Sequence, residues 1–301
     1  MSTAVPAPFR SGFAALVGRP NVGKSTLLNA LVGAKLSIVT PRPQTTRHRI
    51  VGIANLPSAQ IAFVDTPGLH RAGRRALNKA MNRTASAALE DADLVVLVVE
   101  ALRWVEGDEL ALGRIARASR PAILAVNKID RVRPRARLLP YLATLTGRHD
   151  FRAIVPVSAL AADNVAELRD TIAAQLPESA PLFPADTLTD RGIPFRIAET
   201  IREKLTLELN QEVPYGIAVE VERLTDEPQE QLTVDAVVWV DREGQKPIVI
   251  GARGERLKRV GRSARLALNE LLGRRVHLNL WVKVRENWAD NARALKQLGV
   301  E

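Results

Sequence analysis

Eight consecutive residues constrain this chain more than any others. Gly18-Arg19-Pro20-Asn21-Val22-Gly23-Lys24-Ser25 fits G-x-x-x-x-G-K-[ST]. That pattern has mechanical meaning only when a strand leads into it and a helix leaves it. Both are present: Phe13–Val17 is continuously apolar, and Lys24–Val32 has helical spacing. The glycines let the backbone curl so that its N–H groups face phosphate oxygens. Lys24 adds a point charge and the helix N-terminus its dipole. The Ser25 hydroxyl suits Mg²⁺, and Thr26 completes the phosphate-facing segment.

The surrounding pattern is that of an α/β protein. Apolar runs at Ile61–Asp65, Leu94–Val99, Ile123–Asn127 and Ile154–Val157 read as buried parallel strands. Helical stretches at Leu77–Glu90, Asp108–Ala118, Arg135–Leu145 and Val165–Gln175 separate them. The expected architecture is a P-loop doubly wound sheet over residues 1–177. Three prolines in Pro177–Pro184 break the pattern, so residues 178–192 read as a linker or strap. Residues 193–301 follow a different order. A helix (Phe195–Leu209) precedes two strands (Tyr215–Arg223 and Leu232–Asp241). A short apolar strand, Pro247–Ile250, leads to helices at Glu255–Val260 and Ser263–Leu272, parted near Gly261. An alternating strand, Val276–Val284, closes the series. Trp239 and Trp281, on strands, read as core, whereas Trp288 is ambiguous.

Further motifs fall at strand ends, where α/β sheets bind ligands. Asn127-Lys128-Ile129-Asp130 places a carboxylate, Asp130, that can accept from guanine N1–H and the 2-amino group together. Adenine has no such pair and would leave the carboxylate unsatisfied. Asn127 would brace the loops, and the Lys128 stem would cover the ring face. After the fifth strand, Ser158-Ala159-Leu160 offers the Ala159 N–H to guanine O6. Asp65-Thr66-Pro67-Gly68, with Leu69 following, provides a carboxylate for Mg²⁺ and a Gly68 N–H for a γ-phosphate. One of Thr45 and Thr46, in a Pro-rich polar loop, would close over the metal. Leu69 stands where a water-orienting Gln would serve; its apolar side chain cannot accept a proton, so slow intrinsic hydrolysis is expected. His48 and His70 also lie in these loops, without an assigned role.

In the last third, Ile250 leads into Gly251-Ala252-Arg253-Gly254, a GxxG followed by Arg256, Lys258 and Arg259. A GxxG loop lets a nucleic-acid backbone approach closely. Composition agrees with a polyanionic partner. Of 43 Lys and Arg against 33 Asp and Glu (net +10), residues 1–177 carry +11, 178–241 carry −9 and 242–301 carry +8. With no cysteine, disulfides, Cys-zinc sites and thiol catalysis are excluded. The longest apolar run, Leu94–Val99, is too short to span a membrane, and the N-terminus shows no secretory h-region. The expected location is the cytoplasm.

Taken in order, these strings resemble the bacterial Era family of GTPases: GRPNVGKSTLLNAL, QTTRHRIVGI, DTPGLH, NKID and SAL, then the FxxAExIREKL pattern at Phe195–Leu205 and VHLNLWVKV…WADN at Val276–Asn291. The resemblance runs from about Phe9 to Val300. It implies a GTP-hydrolysing switch with Mg²⁺, joined to a smaller α+β type II KH domain. It also implies binding to the 3′ end of 16S rRNA, a role in 30S subunit assembly and a peripheral association with the inner membrane. A monomer that binds RNA and not DNA is expected. Asn21 is similar to the Asn of related potassium-activated GTPases and would hold K⁺ beside the β and γ phosphates. Family loops often carry Lys where this chain has Ala252, so Arg253 would supply the charge. Two alternatives stay open: a GTPase acting on tRNA or the large subunit, and an RNA-binding scaffold with a vestigial nucleotide pocket.

Overall fold

The computed structural model describes residues 8–42, 45–68, 76–209, 213–226 and 231–297. The chain forms two compact units. One comprises Met1–Ser37, Thr46–Ala72 and Met81–Asp190; the other comprises Ile38–Thr45, Gly73–Ala80 and Arg191–Glu301.

The elements up to Gln175 run β1 (Arg10–Val17), α1 (Lys24–Val32), β2 (Ile50–Asn55), β3 (Ala59–Asp65), α2 (Ala76–Asp91), β4 (Leu94–Glu100), α3 (Glu106–Ala118), β5 (Ala122–Asn127), α4 (Leu138–Ala143), β6 (Ala153–Pro156) and α5 (Val165–Gln175). The sheet order is β2-β3-β1-β4-β5-β6. Five strands are parallel, and β2 pairs antiparallel with β3, making the sheet mixed. Every residue from Leu94 to Val99 is fully buried, as a central strand covered on both faces must be. Strand β2 was not expected. Its IVGIAN run contains a glycine, which ordinarily weakens a strand. Here Gly52 makes room: a Cβ would lie 2.9 Å from the Leu28 and Val32 side chains of α1. The helix expected over Arg135–Leu145 is a 3₁₀ turn, Arg135–Arg137, followed by the short α4.

Residues 178–190 form a strap along this sheet. Gln60 donates to the Phe183 carbonyl (2.8 Å) and accepts from the Leu182 and Phe183 amides. The Ile53 amide donates to Leu188 O (2.9 Å) and the Val51 amide to Asp190 Oδ1 (3.0 Å). These bonds occupy donors on the edge strand β2 that would otherwise be open for pairing.

The second unit contains α6 (Ile193–Glu208), β7 (Ile217–Thr225), β8 (Leu232–Val240), α7 (Lys246–Ile250), α8 (Glu255–Leu272), β9 (Val276–Val284) and α9 (Ala292–Gln297). Strand β8 is central, antiparallel to β7 and parallel to β9. Ile197, Ile201 and Leu205 of α6 and Val260, Ala264 and Leu268 of α8 lie on single helical faces and form one core with Val234, Ala236 and Val238.

Three expectations change here. The apolar run before Gly251 is the helix α7, begun by Pro247 in its first turn, not a strand. The two helices expected on either side of Gly261 are the single helix α8, because its apolar spacing continues unbroken through the glycine. Trp281 is 46% exposed instead of core, and the half-buried Trp239 donates from Nε1 to Glu220 at the surface. Trp288 is the fully buried one, its Nε1 donating to the Gly216 carbonyl at 3.1 Å.

Candidate functional site

The phosphate loop joins β1 to α1. Gly18 has φ +155° and Gly23 φ +99°; a Cβ on either would come within 2.4 Å of another atom, Val98 O or Asn127 Nδ2. Only glycine permits both the conformation and the approach. Asn21 also has positive φ (62°), a conformation Asn tolerates. Lys24 is buried, and its Nζ donates to the carbonyls of Gly18 and Arg19, both at 3.0 Å. Burial pushes its ammonium down to about 8, against the opposite pull of the Asp65 carboxylate. A triphosphate would meet a cation already stripped of water.

Asp65 ends β3, fully buried, and burial raises its pKa against the effect of Lys24 and of the Ser37 and Ser25 hydroxyls. Ser25 Oγ lies 2.7 Å from Asp65 Oδ2 and 2.8 Å from Thr46 Oγ1. The three oxygens expected to serve Mg²⁺ are therefore gathered at one point. The buried Asp65 Oδ1 has no hydrogen-bond partner among the described residues. An all-oxygen set with an unsatisfied carboxylate oxygen fits a hard divalent cation. Thr45 is differently engaged: its Oγ1 bonds to Thr40 Oγ1 (2.5 Å) and to the Arg42 carbonyl (2.8 Å). Thr66 anchors the strand end, its Oγ1 donating to Leu16 O at 3.0 Å. Pro67 is buried beside it, and a Cβ on Gly68 would meet Pro20 at 2.9–3.0 Å. Leu69 and His70 lie outside the described residues.

Asn127 ends β5 and joins three loops. Its Nδ2 donates to Val22 O in the phosphate loop (2.9 Å), and its Oδ1 accepts from the amides of Lys128 (2.8 Å) and Ala159 (3.0 Å). The Ala159 N–H expected at guanine O6 thus donates to Asn127 here. Ser158 Oγ donates to Asp130 Oδ1 at 2.6 Å, which orients the carboxylate. Leu160 is 78% exposed. Lys128 Nζ donates to the Asn21 carbonyl at 2.7 Å, laying its stem across the site.

Sequence reading missed several members. Glu100, at the end of β4, pairs with Arg19 of the phosphate loop (3.0 Å) and with Lys128 of the base loop (3.2 Å). Burial alone would raise its carboxyl, but the hydrogen bonds from Arg19 and Lys128 hold it below the usual carboxylate range. Asp108 is fully buried, accepts from Arg19 Nε (3.2 Å) and from the Val105 amide (3.0 Å), and is pushed up by burial. Ser37 Oγ donates to Asp65 at 2.7 Å. No local pattern marks Asp108 or Ser37; for Glu100 the signal available was a carboxylate at the end of a central strand.

In the second unit the Gly251–Gly254 loop joins α7 to α8. Gly251, Arg253 and Gly254 all have positive φ. A Cβ on Gly251 would lie 2.7 Å from Arg256 Cβ, whereas nothing lies within 4 Å of one on Gly254. Ala252 and Arg253 are exposed, as are Lys258 and Arg259 on α8. Arg256 is half-buried and donates from Nη1 to the Ile248 carbonyl, and Arg259 approaches Glu208 at 3.4 Å. Ile250 sits half-buried at the entrance. The same unit holds Ile38–Thr45 against α6. Glu203 accepts from the Val39 amide at 3.0 Å. Arg202, buried and paired with Glu199 at 2.6 and 2.7 Å, donates from Nη2 to the Thr45 carbonyl at 2.5 Å. Asp290 Oδ1 accepts from the Ala76 amide at 3.3 Å.

Residues 13–128 match the model of the 50S ribosome-binding GTPase family, and residues 212–289 match the KH domain. The chain is 49% identical to GTPase Era of Stenotrophomonas maltophilia (strain R551-3) over 294 residues, 98% of each chain. It is 48% identical to GTPase Era of Pseudomonas aeruginosa (strain LESB58) over 295 residues, 98% of this chain and 96% of that one. Two solved structures superpose with TM-scores of 0.93. One is a point variant of Aquifex aeolicus Era bound to GDP·AlF₄⁻ (39% identity, 97% of this chain and 99% of that chain). The other is Era in complex with MgGDPNP and nucleotides 1506–1542 of 16S ribosomal RNA (40% identity, with the same coverage). With identity of this order along nearly the whole chain, the protein belongs to the GTPase Era family.

Proposed function

We propose that this GTPase is a switch that grips 16S rRNA near its 3′ end through its KH domain and assists assembly of the 30S subunit. The observation that carries the reading is the pairing of two features in one chain: a base loop ending in an oriented Asp130 carboxylate, and an open Gly251–Gly254 loop flanked by exposed Arg253, Lys258 and Arg259. A relative was solved with MgGDPNP and with nucleotides of that RNA. The division of labour places nucleotide binding in residues 1–177 and RNA binding in residues 193–301, with 178–192 between them.

Phosphates lie along Gly18–Thr26, with Lys24 leaving its loop carbonyls for phosphate oxygens. Ser25, Thr46 and Asp65 hold Mg²⁺, which supplies neutralisation of the β and γ oxygens. Thr66, Pro67 and Gly68 bring the Gly68 N–H to the γ-phosphate, next to Leu69. Asn127, Lys128, Asp130, Ser158, Ala159 and Leu160 form the base pocket, the Ala159 N–H turning from Asn127 to guanine O6. With Leu69 unable to orient water, hydrolysis is slow, and Asn21 would hold a K⁺ that would supply positive charge to the phosphates. The protein acts as a monomer in the cytoplasm, its basic surface giving a peripheral hold on the anionic inner membrane.

Crosslinking to 16S rRNA in the GDPNP and GDP states, with and without Gly254→Asp, tests the reading. Crosslinks should depend on the nucleotide and disappear in the variant; unchanged crosslinking removes the RNA site. Equal GTP turnover in K⁺ and Na⁺ would remove the role of Asn21.

A further inference from the structure

The nucleotide-binding unit carries a basic cleft built from residues outside the motifs discussed above. Ser86, Leu89 and Glu90 of α2 face Arg114, Arg117 and Ala118 of α3, with Arg120 beyond it, around a cavity of about 450 Å³. Arg114 and Arg117 stand one helical turn apart and so lie on one face. The Arg114 Nη1 is buried and has no hydrogen-bond partner among the described residues. Several other arginines of the protein are instead held by carboxylates. Arg19 is held by Glu100 and Asp108, Arg202 by Glu199, Arg148 by Glu109 and Arg274 by Asp226. Arg120 closes the rim, its Nη2 donating to the Glu90 carbonyl at 2.5 Å, and no carboxylate pairs with Arg114 or Arg117 among the described residues.

The Arg114 N–H withdrawn from water without an acceptor is unfavourable, and a planar or tetrahedral oxyanion accepting from it, with the exposed Arg117 one turn away as a second donor, best relieves that cost. Glu90 is the one acid among the lining residues, so the site keeps a net positive charge. We propose that this cleft is a second RNA-binding site, in which Arg114 and Arg117 take phosphodiester oxygens of the ribosomal RNA backbone. The proposal rests on the reading of the chain as an rRNA-binding GTPase and adds a contact outside its KH domain. Phosphate-directed arginines read no bases; they add affinity and fix orientation.

The test is the salt dependence of binding to a full-length 16S rRNA transcript in the GDPNP state. Each phosphate contact to single-stranded RNA contributes about 0.7 to the slope of log K against log salt. Arg114→Gln/Arg117→Gln should therefore lower the slope by about 1.4 and weaken binding about tenfold at about 100 mM salt, with GTP affinity and melting temperature unchanged. Arg117→Glu alters only an exposed side chain, so folding is not at stake, and it should weaken binding in the same direction. Gly254→Asp serves as the reference. If it abolishes RNA binding while the arginine variants keep the parent's slope and affinity, the cleft proposal is overturned and the KH reading stands. If Gly254→Asp itself changes nothing, the KH reading fails instead. Loss of binding to phosphatidylglycerol vesicles with an unchanged RNA slope would likewise overturn the assignment to RNA.

Discussion

Removing Asn127 from the centre of the nucleotide site should loosen three loops at once. In Asn127→Ala three hydrogen bonds are lost: Nδ2 to Val22 O, and Oδ1 from the amides of Lys128 and Ala159. A typical intramolecular hydrogen bond contributes about 1 kcal/mol net, and a buried group left without a partner costs about 1–3 kcal/mol. The bonds to Val22 and Ala159 lie in fully buried surroundings, so both partners fall in the costly class. The sum is about 3–7 kcal/mol, felt within the nucleotide-binding unit. At about 2–4 °C per kcal/mol for a domain of this size, its melting transition should fall by about 6–28 °C. Part of the preorganisation of Val22 beside the phosphates and Ala159 beside the base is also lost. If about 2 kcal/mol of the total falls on binding, GDP affinity drops about 30-fold. Differential scanning calorimetry with and without GDP, together with fluorescent-GDP titration, measures both. A variant that melts within about 2 °C of the parent and keeps its GDP affinity would refute the claim that one side chain holds these loops in register.

Three shorter tests follow from the same geometry. Glu100→Gln removes the charge that Arg19 and Lys128 share and should speed GDP release about tenfold in stopped flow, GTP hydrolysis per bound nucleotide remaining within about twofold. The carboxyl of Glu100 is held below its unfolded value, so its contribution to stability is present above about pH 4.3 and is lost as pH falls through the lower folded value; melting curves of parent and Glu100→Gln should converge below about pH 4, and parallel curves would exclude this. Glu199→Gln/Arg202→Met removes the buried pair together, avoiding the orphaned charge that costs about 3–5 kcal/mol when one partner goes alone; RNA affinity in GDPNP and GDP should become equal while nucleotide affinity holds, and an intact difference would rule out a role for the Arg202–Thr45 bond.

How much of this was visible in the sequence depends on where the information sits. The phosphate loop, the central strands and the α1 and α5 boundaries were legible because each depends on local spacing and on burial of continuous apolar runs. The run before Gly251 was misread because so short an apolar run carries no period long enough to separate strand from helix. Gly261 was overread as a break, since one glycine costs a long amphipathic helix only about 1 kcal/mol. Glu100, Asp108 and Ser37 were invisible for another reason. Their partners lie 81, 89 and 28 residues away, and nothing local to a lone carboxylate or hydroxyl reports a pairing at that range.

Neighbouring residues at the end of the loop Ile38–Thr46 are held by different groups. Thr46 belongs to the nucleotide-binding unit, its hydroxyl 2.8 Å from Ser25. Thr45, one peptide bond earlier, belongs to the unit that contains the KH elements, where Arg202 holds its carbonyl. A shift of Thr46 reaches Thr45 through the peptide bond between them. Arg202 cannot follow freely, since it is buried and bound on its other edge by Glu199. The same reasoning explains why buried charge is tolerated on α6, a helix whose remaining inward face is Ile197, Ile201 and Leu205. Glu199, Arg202 and Glu203 serve the backbone of Ile38–Thr45, and an apolar replacement would pack there without recognising which state that backbone is in.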